Sequence, residues 1–304
     1  MSPRPPGAAF RAGRAPQYCR EVSRYRWALR PGWILSHIFV LGCVVAFVNL
    51  GFWQVHRLQE RRDANALITA RQATAPAPLA QVLAPDATGD AVTAATYRQV
   101  TVTGTYRTED QVLIRNRTNG GAPGFRVVTP LVLDDGHAVA IDRGWIPLHA
   151  GDGDGASPAL YAPPSGAVTV TGIVRETQRQ EGLGVSDPPT GTVPALARVD
   201  VPRLQQQVSL PLYPVYVELT AQQPPQTAAT DNIPSPVPPP PLDDGPHLSY
   251  AGQWFIFATL TTIVYPLLLR RNAKHREADA LDAAEAAAAA AAGVTTPDER
   301  ELVP

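Results

Sequence analysis

The sequence predicts an α+β membrane protein in which two transmembrane helices flank one extracytoplasmic β-rich domain. The helices are predicted by the runs 33–55 and 248–269, which are apolar and carry no formal charge. The sheet is predicted by residues 97–220. There, short segments alternate valine or isoleucine with threonine or another polar residue, the period of a half-buried strand.

The first run holds 23 residues. At about 1.5 Å per residue it reaches roughly 35 Å, enough for a hydrocarbon core of about 30 Å. It is longer than a signal-peptide core of about 7–15 residues. The nearest Ala-x-Ala pattern, at residues 64–66, lies beyond the charged stretch RLQERRD. The run therefore reads as a retained anchor. Residues 1–32 form a basic leader, with seven arginines against one acid, Glu21, in the first 30 positions. A mitochondrial leader is the other reading. Pro3, Pro5, Pro6 and Pro16 oppose it, because they break the amphipathic helix such leaders need.

The second transmembrane helix is expected at 247–269. Arg270, Arg271, Lys274 and Arg276 follow it, and Asp243 and Asp244 precede it. Positive charge stays on the cytoplasmic side, which puts the 270–304 tail there and, after two spans, the leader as well. Arg57, Arg61 and Arg62 argue the other way, but they begin a long translocated domain, where charge counts for less. The expected location is the plasma membrane, with both termini cytoplasmic and the large domain outside.

Between the helices, residues 56–96 are expected to form a membrane-proximal helix and connector, and 97–220 the β-rich domain. Strands are expected at 98–106, 111–117, 125–133, 137–147, 167–176, 194–200 and 214–220, with a short helix at 201–208. The DDG at 134–136 signals a tight turn. Residues 151–166 read as a surface loop. Asp152 and Asp154 there hint at calcium, without the ligand pattern of an EF-hand. Residues 221–246 hold nine prolines, so an extended, semi-rigid linker is expected.

A net charge of −1 offers no electrostatic footprint for nucleic acid. Cys19 and Cys43 both precede the β-rich region, which leaves it without disulfide or thiolate metal site. No G-x-S-x-G, H-E-x-x-H, Walker or G-x-G-x-x-G motif occurs in it. His137 and His149 have no base–orienter arrangement in sequence. The chain reads as a non-enzyme.

Helical spacing groups His247, Tyr250, Ala251, Trp254, Phe255 and Ala258 on one stripe of the second helix, and Gly42, Ala46, Asn49, Trp53 and His56 on the first. Gly42 and Ala46 suit close helix approach, and Asn49 is expected to bond across a helix pair. With these stripes facing, His56 and His247 meet at the outer interface. Two readings stay open. One is an interfacial belt of aromatics and hydrated histidines. The other is a haem site with an imidazole nitrogen as axial ligand, Tyr250 and Trp254 as walls, and Arg57 pairing with a propionate. His37 reads as interfacial only.

Five stretches carry a resemblance: GFWQVHRLQERR (51–62), YRQVTVTGTY (97–106), LIRNRTNGGAPGFRVVTPLVLDDG (113–136), AIDRGWIP (140–147) and HLSYAGQWFIFA (247–258). In this order the chain resembles the Surfeit-locus-one family of cytochrome c oxidase assembly proteins, in its actinobacterial form, over about residues 33–271. The resemblance implies an assembly factor for the aa3-type cytochrome c oxidase. It would assist haem a insertion or stabilisation in the catalytic subunit. The implied partners are that subunit, other oxidase assembly factors and membrane lipid.

The resemblance also implies His247 as axial ligand of a transiently bound haem a. It aligns Trp53, Gln54 and Arg57 with the family's Trp-Gln-x-x-Arg. His56 is outside the signature and rests on geometry alone. Where the family often has two asparagines before the histidine, this chain has Gly245 and Pro246, and Pro246 is expected to set the angle at which the chain enters the helix. The block Arg143, Gly144, Trp145 has two readings. It is a partner-binding surface, or Trp145 packs the domain onto the membrane-proximal helix while Arg143 bonds a carbonyl or acid. The alternative function is a cofactor-free membrane scaffold that docks on an oxidase assembly intermediate.

Overall fold

A computed structural model describes residues 25–151, 157–180, 186–226 and 234–291. Most of the basic leader with Cys19, the Asp152 and Asp154 pair, and the end of the tail lie outside the described residues. The chain divides into two compact units, 1–62 with 244–304, and 63–243. It is a mixed α/β fold, with an apolar helix toward each end of the chain and a sheet between them in sequence.

The sheet unit has eight strands: β1 (Ala77–Pro78), β2 (Gln99–Tyr106), β3 (Val112–Asn119), β4 (Ala122–Val132), β5 (Ala138–Pro147), β6 (Ala167–Glu176), β7 (Ala195–Leu196) and β8 (Leu212–Gln223). Their order is β1-β2-β6-β8-β5-β4-β3-β7, and β2 also pairs with β4 through Thr105–Val132 and Tyr106–Leu131. That extra pairing closes β2, β6, β8, β5 and β4 into a small barrel. Closure leaves only β3 and the two-residue strands β1 and β7 outside the ring, so few sheet edges stay exposed to invite aggregation. It also demands a sharp corner. Gly104 supplies it, since a Cβ there would strike the Val132 carbonyl.

Alternate positions of the strands point inward. Val100 and Val102 of β2, Leu131 of β4, Val139 and Ile141 of β5, Val168, Val170 and Val174 of β6, and Val215 and Val217 of β8 share one buried cluster. Each such side chain contributes about 1.5–3 kcal/mol when fully buried. The six longer strand readings match β2–β6 and β8 to within a few residues. The DDG turn is present: Leu133 N–H donates to the His137 carbonyl, and Gly136 has φ +82°. The reading of 194–200 shrinks to β7, because the Asp187 carboxylate accepts the Ala197 N–H where a strand partner would be. Short helices at Leu79–Val82, Asp90–Ala95 and Leu148–Gly151 escaped the reading, since one turn leaves hardly any periodicity to detect. The helix at Val201–Gln205 is capped by Asp200, whose side chain accepts the Arg203 N–H.

The helix unit pairs α1 (Pro31–Gln72) with α2 (His247–Ala291). Both are long and apolar enough to cross a membrane by length and composition. Leu35, Phe39 and Val45 on α1, and Leu260, Ile263 and Leu267 on α2, are exposed. The less exposed positions of α1 include Trp33, His37, Val40, Val44, Phe47, Gly51, Gln54 and Leu58. On α2 they include His247, Ala251, Trp254, Ala258, Thr261 and Tyr265. Steps of three and four alternate, the 3.5-residue period of a supercoiled pair. Phe47 meets Trp254, Gly51 meets Phe255 and Gln54 meets His247, so the helices run antiparallel.

This seam corrects the sequence reading of α1. Gly42, Ala46, Asn49, Trp53 and His56 are all exposed, and Asn49 donates to the Val45 carbonyl of its own helix at 2.7 Å. Their steps also alternate four and three, so spacing could not choose between the two faces. Close approach occurs instead where Gly51 leaves room for the Phe255 ring, 2.7 Å from where a Cβ would stand, and where Ala251 and Ala258 are buried.

Candidate functional site

His247 opens α2. The Pro246 carbonyl accepts the Tyr250 N–H at 3.2 Å and the Ser249 hydroxyl at 2.7 Å, which fixes the first turn. Gly245, at φ +65°, turns the chain into it. The half-buried ring places Nδ1 2.9 Å from Oε1 of Gln54. An amide oxygen only accepts, so a neutral ring facing it keeps its proton on Nδ1 and its lone pair on Nε2. A Cβ on Gly245 would stand 3.6 Å from Nε2. In the neutral ring Nε2 is thus the nitrogen left to act as a ligand, next to a residue without a side chain. That donor fits a metal's single axial position.

The other sequence candidates fall around this ring unevenly. Trp254 stacks on Phe47, with centroids 5.8 Å apart and planes at 26°. Tyr250 is 47 % exposed. Arg57 is exposed and pairs with Glu60 at 2.7 Å. His56 is exposed and lies two residues beyond Gln54, about 200° around the helix. The structure therefore does not bring His56 to His247, and the two-histidine geometry expected from sequence is corrected.

At the other end of the seam His37 makes contacts that sequence reasoning missed. Its Nε2 lies 3.1 Å from the Ala28 carbonyl, and its Nδ1 lies 2.7 Å from the Tyr265 hydroxyl. Nε2 is therefore the donor, and Nδ1 accepts from Tyr265, which in turn accepts from Ser36 at 3.0 Å. Both ring nitrogens of His37 are engaged. Its position one turn before Val40 and two turns before Val44 on the seam was the available signal.

Within the sheet unit, Arg143 is 2 % exposed. It donates to Gln111 at 3.1 Å, to the Tyr161 carbonyl at 2.7 Å and to Gln226 at 2.8 Å, and sits over the Tyr106 ring. Burial pulls its pKa down to about 10. Gly144 has φ +125°, and a Cβ there would strike the Ser235 carbonyl. Trp145 exchanges two backbone hydrogen bonds of 2.8 Å with Ser235, and its indole N–H donates to the Arg117 carbonyl at 3.1 Å. Arg143 thus bonds a carbonyl, as one reading had it. Trp145 holds β3, β5 and the returning linker together.

Beside this block lies a charge network that alternation concealed. Arg126 pairs with Asp142 and, at 2.8 Å, with Glu218, which also faces Arg175 at 3.5 Å. Asp142 is fully buried. Burial pushes its pKa up to about 7, against the pull of Arg126. Among the described residues no group of three or more His, Cys, Asp or Glu side chains is placed to hold a metal ion.

The class defined here is a small closed β-barrel inserted between two apolar helices, with one histidine nitrogen presented at the start of the second. Residues 41–259 match the SURF1 family, and the chain belongs to that family. It is 30 % identical over 261 residues to a SURF1-like protein of Mycobacterium tuberculosis, covering 80 % of this chain and 85 % of that one. It is 26 % identical over 255 residues to a SURF1-like protein of Monosiga brevicollis, covering 76 % and 87 %. It is 34 % identical over 98 residues to the cytochrome oxidase assembly protein SHY1 of Saccharomyces cerevisiae, covering 32 % and 24 %.

Proposed function

We propose that this chain is an assembly factor for the aa3-type cytochrome c oxidase, and that it assists haem a insertion or stabilisation in the catalytic subunit. Family membership and the name of the yeast relative support the oxidase assembly role. α1 and α2 anchor the protein in the plasma membrane. The basic cluster after residue 269 keeps both termini cytoplasmic, and the barrel is extracytoplasmic. Its partners are the oxidase catalytic subunit, other assembly factors and membrane lipid.

The observation that carries the haem reading is the His247 ring, with Nδ1 bonded to Gln54 and Nε2 next to Gly245. Haem a bound there would supply an iron with an axial position for a neutral imidazole. His247 would hold the group through Nε2, with Tyr250 and Trp254 further along the same stripe of α2, and Arg57, paired here with Glu60, would offer a cation to a propionate. The chain acts as a holder and not as an enzyme. The test is a pyridine haemochrome spectrum of the detergent-purified protein, co-expressed with haem a synthesis. A haem a spectrum supports the reading. Protein that carries no haem under those conditions points to the cofactor-free scaffold.

A further inference from the structure

We infer that Gln54 is a positioning residue: it selects the tautomer of His247 and so aims Nε2 at the metal. The inference rests on the haem reading above but has a test of its own. Gln54 lies on the seam of α1, seven residues after Phe47 and three after Gly51, and is half-buried there. Gly51 allows the Phe255 ring in close, which brings the start of α2 against this turn of α1. His247 is thereby placed with Nδ1 2.9 Å from the Gln54 amide oxygen.

The ring has two nitrogens and, when neutral, one proton. Whichever nitrogen faces a pure acceptor keeps the proton, and the other becomes the ligand. With Gln54 facing Nδ1, the ligand atom is Nε2, the atom that looks toward the space at Gly245. If a hydrocarbon replaced the amide, nothing would hold the ring's rotation or its tautomer. Nδ1 would then carry the lone pair in part of the population, facing α1 and out of reach of a macrocycle. A hydrogen bond to the far nitrogen also raises the basicity of the ligating one, and losing such a partner typically costs about 10- to 100-fold in metal affinity.

The experiment uses the full chain in detergent, free of haem, with histidine labelled by ¹⁵N. Imidazole shifts report the tautomer of His247, assigned by its disappearance in His247→Ala. Wild type is expected to show a protonated Nδ1 and a bare Nε2. Gln54→Leu is expected to populate both tautomers. Gln54→Glu, whose carboxylate still accepts, is expected to restore the wild-type pattern. Titration with haem a then follows the same order, with Gln54→Leu weaker by about 10-fold or more and Gln54→Glu close to wild type.

If Gln54→Leu leaves the tautomer unchanged, the inference is overturned, and a folded Gln54→Glu that loses the pattern overturns it equally. If the tautomer follows Gln54 as expected but haem a binds His247→Ala as tightly as wild type, the positioning stands and the haem reading fails.

Discussion

Ser235 and Trp145 exchange two backbone hydrogen bonds of 2.8 Å, and Gly144 makes room for them. The proline-rich return segment is therefore stitched to β5 at the arginine-glycine-tryptophan block. Asn119 adds a side-chain bond to the Ser235 hydroxyl at 3.2 Å. The block is a latch for the chain on its way to α2.

Gly144→Ala should open that latch. At φ +125° an L side chain is strained, and the added Cβ meets the Ser235 carbonyl, so a loss of about 1–3 kcal/mol is expected. Denaturant midpoints should fall, and limited proteolysis between residues 223 and 243 should accelerate. Unchanged cleavage in a destabilised protein would mean that the cost lies in β5 alone.

Arg143→Met should cost about 3 kcal/mol, because Gln111, Gln226 and the Tyr161 carbonyl lose their shared donor inside the barrel. Arg143→Lys should recover little of this, since one ammonium cannot reproduce the guanidinium fork. Chemical denaturation of the three proteins gives the comparison. A lysine variant as stable as wild type would show that charge, and not the fork, matters.

Asp142 predicts a pH dependence. In the fold it stays neutral up to about pH 7, whereas in the unfolded chain it ionises near pH 4. The native state therefore binds the extra proton across that window. The stability due to this group is full below about pH 4, declines as the pH rises to about 7, and is flat beyond, with a slope of at most about 1.4 kcal/mol per unit. Asp142→Asn lacks the slope. Urea midpoints of both proteins at about pH 5, 6 and 7.5 should show the wild type losing ground to the variant up to neutrality. Parallel curves would refute the assignment.

Gly51→Val tests the helix seam. Its side chain would enter the Phe255 ring, and overpacking of this kind costs about 1–3 kcal/mol. Phe255→Ala should rescue part of the loss in the double variant. Gly42→Val, on the exposed face, should leave thermal stability in detergent nearly unchanged. Equal effects at the two glycines would argue against the seam described here.

Much of this fold was legible because its signals are periodic. β2, β4, β5 and β6 each extend over eight or more residues, long enough for alternation to show. Barrel closure was not legible, since it depends on two residue pairs between β2 and β4. The helix seam was half legible. The α2 stripe was right for His247, Ala251, Trp254 and Ala258, but α1 offered two stripes with the same spacing. The small residues of the wrong one, Gly42 and Ala46, drew the reading away from Phe47, Gly51 and Gln54. From the residues alone His247 reads as either an interfacial belt member or a ligand, and the family resemblance singles it out as the ligand candidate. Its partner could not be paired with it, because a glutamine in the middle of a long helix, even one that the resemblance aligns, does not say which ring it faces. Asp142 was hidden for a different reason: strand alternation marks inward positions by their apolar residues, and this buried carboxylate is matched by Arg126 on the neighbouring strand instead.

The most direct test of the central claim is the pyridine haemochrome of wild type and His247→Ala, each purified in detergent after co-expression with haem a synthesis. The account predicts haem a in the wild type and its loss in the alanine variant, with the barrel still folded. An alanine variant that keeps full haem a occupancy and an unchanged spectrum would contradict it.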